Sequence, residues 1–577
     1  LRVHVDLTAD EGENQQEFFH GIMVSVIDVS KLEKRNWEKD DFYFVILTTL
    51  VTERLTKTTY TMRFRAILHI VLCLSFLQGQ SQLERTGTPV SWSQSLTVNP
   101  DHQSLAQPDV QALLGEDAAI DEDRSAPFRF AYAREVDWNL DNSGTWMNLP
   151  NGDRLWLLGI EYNSAQSIAI TLENLQLPKG GKLYVYSDDH QDYLGPITDE
   201  DNRSGELGLP HIKGQKIYAE YFEPNAFRGQ SSFSITHVAG SYRNPVQDYQ
   251  QNSACLELMT PGQVYPTLRN ASASVMRVLL DHGQRYATGV LMNNSANDGT
   301  PYVLMSSKAL IGDPSSYVFQ FDVMGSGCFV PSGSCALRTI CGATIKMNDA
   351  NTEASLLELS KQPRNDWQAF YSGWRLDEGA SDNYYCIQHA KGLPQTLATY
   401  SGDFMPLMHA GIWTQGLAVL EGGQTAAGSL GAPIFDNEGN LLGIFKGGSA
   451  HCGGNGGIDR FVLLDEIWSN VQSFLDPENE DQDKMPGYYQ PEQLAVKSNT
   501  SDFLMYPNPS SDYVKLVVPT DDRIVSVDLF NAIGMNVKSW GAAATLTIDD
   551  LPRGIYTVRV SGSETQYVAP LFVTGEH

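Results

Sequence analysis

Gly428-Ser429-Leu430-Gly431-Ala432-Pro433-Ile434-Phe435-Asp436 is the stretch on which the centre of this chain turns. It is a tight, glycine-rich turn, and glycine is what lets backbone come close to another chain. Around it, residues 255–476 are strand-rich with many glycine turns. This block closes in one helical stretch, where Leu464, Ile467, Trp468, Val471 and Phe474 recur at helical spacing.

The turn resembles the G-S-S-G-S-P-L-F-D motif of bacterial lysyl endopeptidase-like serine proteases, with Leu430 where the motif has its second serine. Upstream, Thr288-Gly289-Val290-Leu291-Met292-Asn293-Asn294 resembles the family's T-G-S-L-I-N-N. Pro301-Tyr302-Val303-Leu304-Met305-Ser306-Ser307-Lys308-Ala309 resembles P-Y-F-L-T-A-N-H-C, and Glu353 stands just before the Leu356-Leu357-Glu358-Leu359 strand. Tyr371-Ser372-Gly373-Trp374, Gly447-Gly448-Ser449-Ala450-His451-Cys452 and Ile458-Asp459-Arg460-Phe461 are similar to further family segments. The resemblance implies a trypsin-like double β-barrel over residues 246–476. It also implies that Lys308, Glu353 and Leu430 occupy the positions of base, acid and nucleophile.

Such chemistry needs a base to take the serine proton, an acid to orient that base, and backbone N–H groups for the oxyanion. Here the oxyanion turn would be Gly428 and Leu430. A leucine has neither a lone pair nor a proton to offer, so the resemblance implies a trypsin-like domain without an intact triad. The family's cysteines before T-G and after the histidine are Ala287 and Ala309, so both halves of one bridge are missing. Lys308 reads as a solvent-facing or salt-bridged lysine, with Glu353 as its partner; the sharper alternative is a dyad with Ser429. Asp459 either floors a pocket for a basic side chain or caps a turn. His389, His409 and His451 read as packed or surface residues. No C-x-x-C or H-E-x-x-H pattern suggests a metal, and no cofactor is implied.

Outward from the centre, Leu155–Ile160, Ile168–Leu172, Leu183–Tyr186 and Ile217–Tyr221 alternate with period two between Gly, Pro and Asp breaks. The spacing predicts a β-sandwich within residues 83–245, preceded by a polar leader or linker over 83–125. Leu177-Pro178-Lys179-Gly180-Gly181-Lys182-Leu183-Tyr184-Val185-Tyr186 resembles propeptides of Bacteroidetes proteases. Residues 477–502 read as an acidic linker. Residues 503–577 predict a small β-sandwich; Tyr506-Pro507-Asn508-Pro509, Gly534 and Leu551-x-x-Gly554-Ile555-Tyr556 resemble the type IX secretion sorting domain. The fold class expected is therefore mainly β, in three blocks.

The chain has 577 residues, 42% of them hydrophobic, and a formal net charge of -29. That charge opposes binding to nucleic acid or anionic lipid. Met62, Arg63 and Arg65 precede an apolar run from Ala66 to Leu77 and a polar exit. The run is shorter than the roughly 20 residues of a membrane-spanning helix, and the pattern is that of a signal peptide over 62–82, leaving 1–61 as an upstream extension. No other transmembrane segment is expected. Beyond the signal lie Cys255, Cys328, Cys335, Cys341, Cys386 and Cys452. Resemblance pairs Cys255 with Cys452; the other four allow three pairings.

Together these features predict a secreted or surface-anchored pseudoprotease that binds protein or peptide ligands and is handled by type IX secretion machinery. The alternatives are an active lysine-specific endopeptidase of unusual mechanism and a structural or adhesive surface protein.

Overall fold

A computed structural model describes residues 87–93, 100–245, 255–260, 266–325, 338–450, 457–489 and 504–574, apart from a few short gaps inside these ranges. The expected upstream extension and signal peptide, residues 1–61 and 62–82, lie outside the described residues.

The fold is mainly β, in the order the sequence predicts. The first sandwich packs two sheets. One runs in the order 101–105, 154–162, 216–223, 182–187, 193–197, with 145–148 added beside 154–162. The other runs 212–213, 167–176, 232–241, 131–139, with 206–208 added beside 167–176.

Period-two alternation predicts one dry and one wet face for these strands. Instead Leu155 to Ile160 are all buried. Trp156, Leu158 and Ile160 face the sandwich core. Leu157 joins Tyr184 and Tyr186 in a second cluster on the outer face, under Trp92, Tyr193 and Tyr218. Part of that cover, Trp92, comes from the leader, which carries ordered structure of its own. Asp101–Leu105 is a strand parallel to Arg154–Tyr162, and Val110–Asp123 is a helix capped by the Asp109 carboxylate, which accepts from the Ala112 N–H at 3.1 Å.

The centre consists of two sheets. The first is ordered 338–341, 318–321, 275–280, 285–292, 302–306, 354–359, 343–349; Phe128–Arg129, just after the leader, add to its strand Arg285–Met292. The second is ordered 257–258, 396–401, 383–388, 433–435, 441–448, 459–463, 412–417, 405–409. Each has its own buried cluster. A third cluster joins Val290, Leu304 and Leu356 of one sheet with Phe435, Ile444 and Val462 of the other.

The helix Leu464–Leu475 lies on that joint, burying Leu464, Ile467, Val471 and Leu475. Trp468 packs on Trp374 with ring centroids 4.8 Å apart. Asp465 and Glu466 fall in the first turn, where the helix dipole favours negative charge, and Glu466 accepts from the Leu463 N–H at 3.1 Å. The stretch beginning at 477 does not leave the body at once. Lys484–Met485 pairs with Trp374–Arg375, and Tyr488–Tyr489 with Phe370–Tyr371.

The last block is a small sandwich of a three-stranded and a four-stranded sheet. The Asn508 side chain of the Tyr506–Pro509 motif donates to the Pro570 carbonyl at 2.7 Å and accepts from the Phe572 N–H at 2.8 Å. The motif thus ties the first strand to the last.

Among the cysteines, Cys255 is disulfide-bonded; its expected partner Cys452, with Cys328 and Cys335, lies outside the described residues. Cys341 and Cys386 are free and buried. This corrects the expectation that four cysteines pair among themselves. Both sit in apolar surroundings, and burial pushes the Cys341 thiol up to about 12, so it stays a thiol.

Candidate functional site

The turn at 428–431 is held by its neighbours. Gly431 has φ +84, and a Cβ there would fall 2.5 Å from the Thr288 carbonyl oxygen, so only glycine fits. The Leu430 carbonyl accepts from the Thr288 N–H at 3.1 Å, and the Gly431 N–H donates to Phe445 at 2.9 Å. The Leu430 side chain is fully buried. It belongs to the same apolar cluster as Ala287, Ala309, Val303 and Met305. Hydrocarbon packing therefore surrounds the turn at Leu430. Ser429 is also buried, and its Oγ accepts from the Ala426 N–H at 3.0 Å, turned back into the turn.

Lys308 and Glu353 meet: Nζ to Oε1 is 2.9 Å. A second lysine, Lys446, brings Nζ to 3.5 Å from the other carboxylate oxygen. Lys446 is nearly fully buried in the strand Leu441–Gly448. Burial holds its ammonium below the usual lysine range, the Glu353 carboxylate opposing and the Lys308 charge adding to the effect. Sequence reasoning missed Lys446, although a lone lysine within Leu441-Leu442-Gly443-Ile444-Phe445 and the following glycines is a visible anomaly.

Asp459 is fully buried at the start of the strand Asp459–Leu463. Its carboxylate accepts from Tyr400 Oη at 2.6 Å, Thr425 Oγ1 at 3.0 Å and the Ala450 N–H at 3.2 Å. Burial raises its pKa; the three donors and the Arg124 charge oppose that. Arg124, the second residue that sequence reasoning missed, comes from the leader. Its Nη1 donates to the Ala450 carbonyl at 2.6 Å and reaches Thr425 Oγ1 at 3.4 Å.

His389 is buried, with Nδ1 2.9 Å from the Leu393 carbonyl. Burial, then the Arg277 charge, brings its pKa down to about 3, so it is neutral at ordinary pH. His409 lies in the strand Met405–His409; His451 lies outside the described residues. One group among the described residues has the composition of a metal-ligand set. Glu206, His237 and His282 bring ligand atoms within 4.8 Å of one another, with the two imidazoles stacked at 3.7 Å.

The family model described as the lysyl endopeptidase C-terminal domain matches residues 249–462, and that of the secretion system C-terminal sorting domain matches residues 504–574. Among solved structures, the active form of the Rv3671c protease from M. tuberculosis is similar at 14% identity and TM-score 0.27, over 38% of this chain and 90% of its own. The MamO protease domain from Magnetospirillum magneticum is similar at 15% identity and TM-score 0.25, over 35% and 98%. The HtrA-type protease AlgW with tripeptide is similar at 11% identity and TM-score 0.27, over 53% and 95%. Residues 249–462 thus match a lysyl endopeptidase C-terminal domain and residues 504–574 a type IX sorting tail, which marks the chain for export to the cell exterior or the outer-membrane surface.

Proposed function

We propose that the exported protein is a pseudoprotease: its trypsin-like cleft binds the basic side chain of a protein or peptide and does not cut it. The observation that carries this reading is Leu430, a buried hydrocarbon in the turn that would hold the nucleophile. Losing the nucleophile alone costs on the order of a million-fold in a serine protease.

The surroundings support the same reading. Lys308 is engaged with Glu353, and the Ser429 hydroxyl with the Ala426 N–H, so neither partner of a serine–lysine dyad is directed at the other. By contrast, the Asp459 carboxylate, the Thr425 hydroxyl and the Ala450 carbonyl lie together and supply what a cation needs. In this reading Gly428 and Leu430 retain the oxyanion turn, and Cys255 pairs with Cys452.

The test is covalent. Purified full-length protein, treated with a fluorophosphonate probe, is expected to carry no adduct in the central domain. A stoichiometric adduct on any residue there returns the enzyme reading. The double variant Leu430→Ser with Lys308→His is expected to acquire labelling, because it restores a nucleophile beside a base.

A further inference from the structure

The surroundings of Asp459 are already filled by another part of the chain. After the helix Val110–Asp123 the backbone turns at Arg124, with φ +53, a left-handed conformation that a helix end ordinarily assigns to glycine or asparagine. The side chain so presented is 93% buried, because only 7% of it is exposed. It enters beside Asp459, bonded to the Ala450 carbonyl and within reach of Thr425.

Ser125 passes over the strand Leu441–Gly448 so closely that a Cβ on Gly447 would lie 2.9 Å from Ser125 Cβ. One residue on, the Ala126 carbonyl accepts from the Gly428 N–H at 3.5 Å. Three consecutive residues thus fill the basic-side-chain pocket, cross the adjoining strand and take up an N–H of the oxyanion turn. This is how an extended peptide would engage the cleft.

The helix that delivers the segment is lightly held. Among its described side chains only Leu113 and Asp117 are buried. Its grip comes from Asp117 and Asp121 on Arg129 and Arg243. A helix kept by a few ion pairs opens more readily than one kept by a broad apolar face.

We propose that Arg124-Ser125-Ala126 is a tethered ligand of the cleft. It keeps out arginine-bearing strands of partner proteins until the helix Val110–Asp123 is displaced or cut. The proposal rests on the reading of the Asp459 pocket as a cation site, and it adds that the ligand class is an arginine side chain and that access is gated from within.

The probe is p-aminobenzamidine, an arylamidinium whose fluorescence rises on entering a dry pocket, titrated into full-length protein. Arg124→Ala is expected to bind it at least ten-fold more tightly than the unaltered protein, and Asp459→Asn added to Arg124→Ala is expected to abolish that gain. Equal binding to the unaltered protein and Arg124→Ala overturns the tether and leaves the cation pocket standing. No binding to either overturns the pocket reading, and the tether with it.

A second measurement needs no variant, in case Arg124→Ala does not fold. In limited trypsin digestion of the native protein, the bond after Arg124 is expected to survive while the exposed Lys179 turn is cut. Cleavage after Arg124 at the rate of Lys179 overturns the proposal.

Discussion

At the scale of single residues, the site is a set of buried and half-buried charges gathered around one carboxylate. Glu353 holds two lysines, one half-exposed and one buried. Removing one partner of a buried ion pair costs far more than replacing it with hydrocarbon, since a charge is left without compensation. Glu353→Gln is therefore expected to destabilise the protein at pH 7 by about 3 kcal/mol, read by urea denaturation.

The pH dependence follows from Lys446. Its folded pKa lies below its unfolded one, so the unfolded chain binds the proton more tightly between the two values. Stability then rises with pH through that window. Loss of the Glu353 charge lowers the folded pKa further and widens the window downward. Glu353→Gln is expected to regain stability between pH 7 and 10, and Lys446→Met in the same background to remove that rise. A flat profile for Glu353→Gln would mean that Lys446 is not the group left uncompensated.

At the scale of elements, what the sequence discloses depends on how local the signal is. The turn at 428–431 is legible because its glycines serve a local backbone need, φ +93 at Gly428 and +84 at Gly431. The closing helix is legible because its apolar residues repeat at 3.6. The two-faced burial of Arg154–Tyr162 is not, because the aromatic cover arrives from residue 92 and from neighbouring strands. Nor does the meeting of Arg124 with Thr425 and Ala450 show in the sequence, since more than 300 positions separate them. Arg124 follows an acidic run in a stretch whose composition reads as linker.

The helix Val110–Asp123 offers the test that belongs to this scale. Asp117 accepts from Tyr242 Oη at 2.6 Å and lies 2.7 Å from Arg129 and 3.5 Å from Arg243, nearly without solvent. Asp117→Asn keeps the shape and removes the charge that three groups share. The helix is expected to open more readily by roughly 3 kcal/mol, which is a factor of about 100 in hydrogen exchange of residues 110–123. Unchanged exchange there would show that Leu113 alone suffices to hold it.

At the scale of the molecule, the first sandwich and the central two-sheet body share one core. The cluster that contains Trp156, Ile168 and Val238 of the sandwich also contains Leu279, Tyr286, Val318 and Ala427 of the central body. Phe130 stacks on Tyr286 at 4.4 Å. Buried polar contacts cross the same boundary: His211 Nε2 lies 2.7 Å from the Gly283 carbonyl, and Lys361 pairs with Asp201 at 2.9 Å. Burial brings the His211 pKa down to about 4, so this contact is made by a neutral imidazole and persists at mildly acid pH. A propeptide meant to depart would present a polar face to its partner, whereas separation here exposes aromatic surface on both sides. A protease that nicks the chain between residues 245 and 255 is therefore expected to leave the two fragments together. They should co-elute on size exclusion at pH 5 as at pH 7 and part only in denaturant. Elution of the sandwich as a separate soluble species after nicking would mean that the shared core does not hold it, and that an open cleft, cleared of Arg124, is the form that reaches the cell surface.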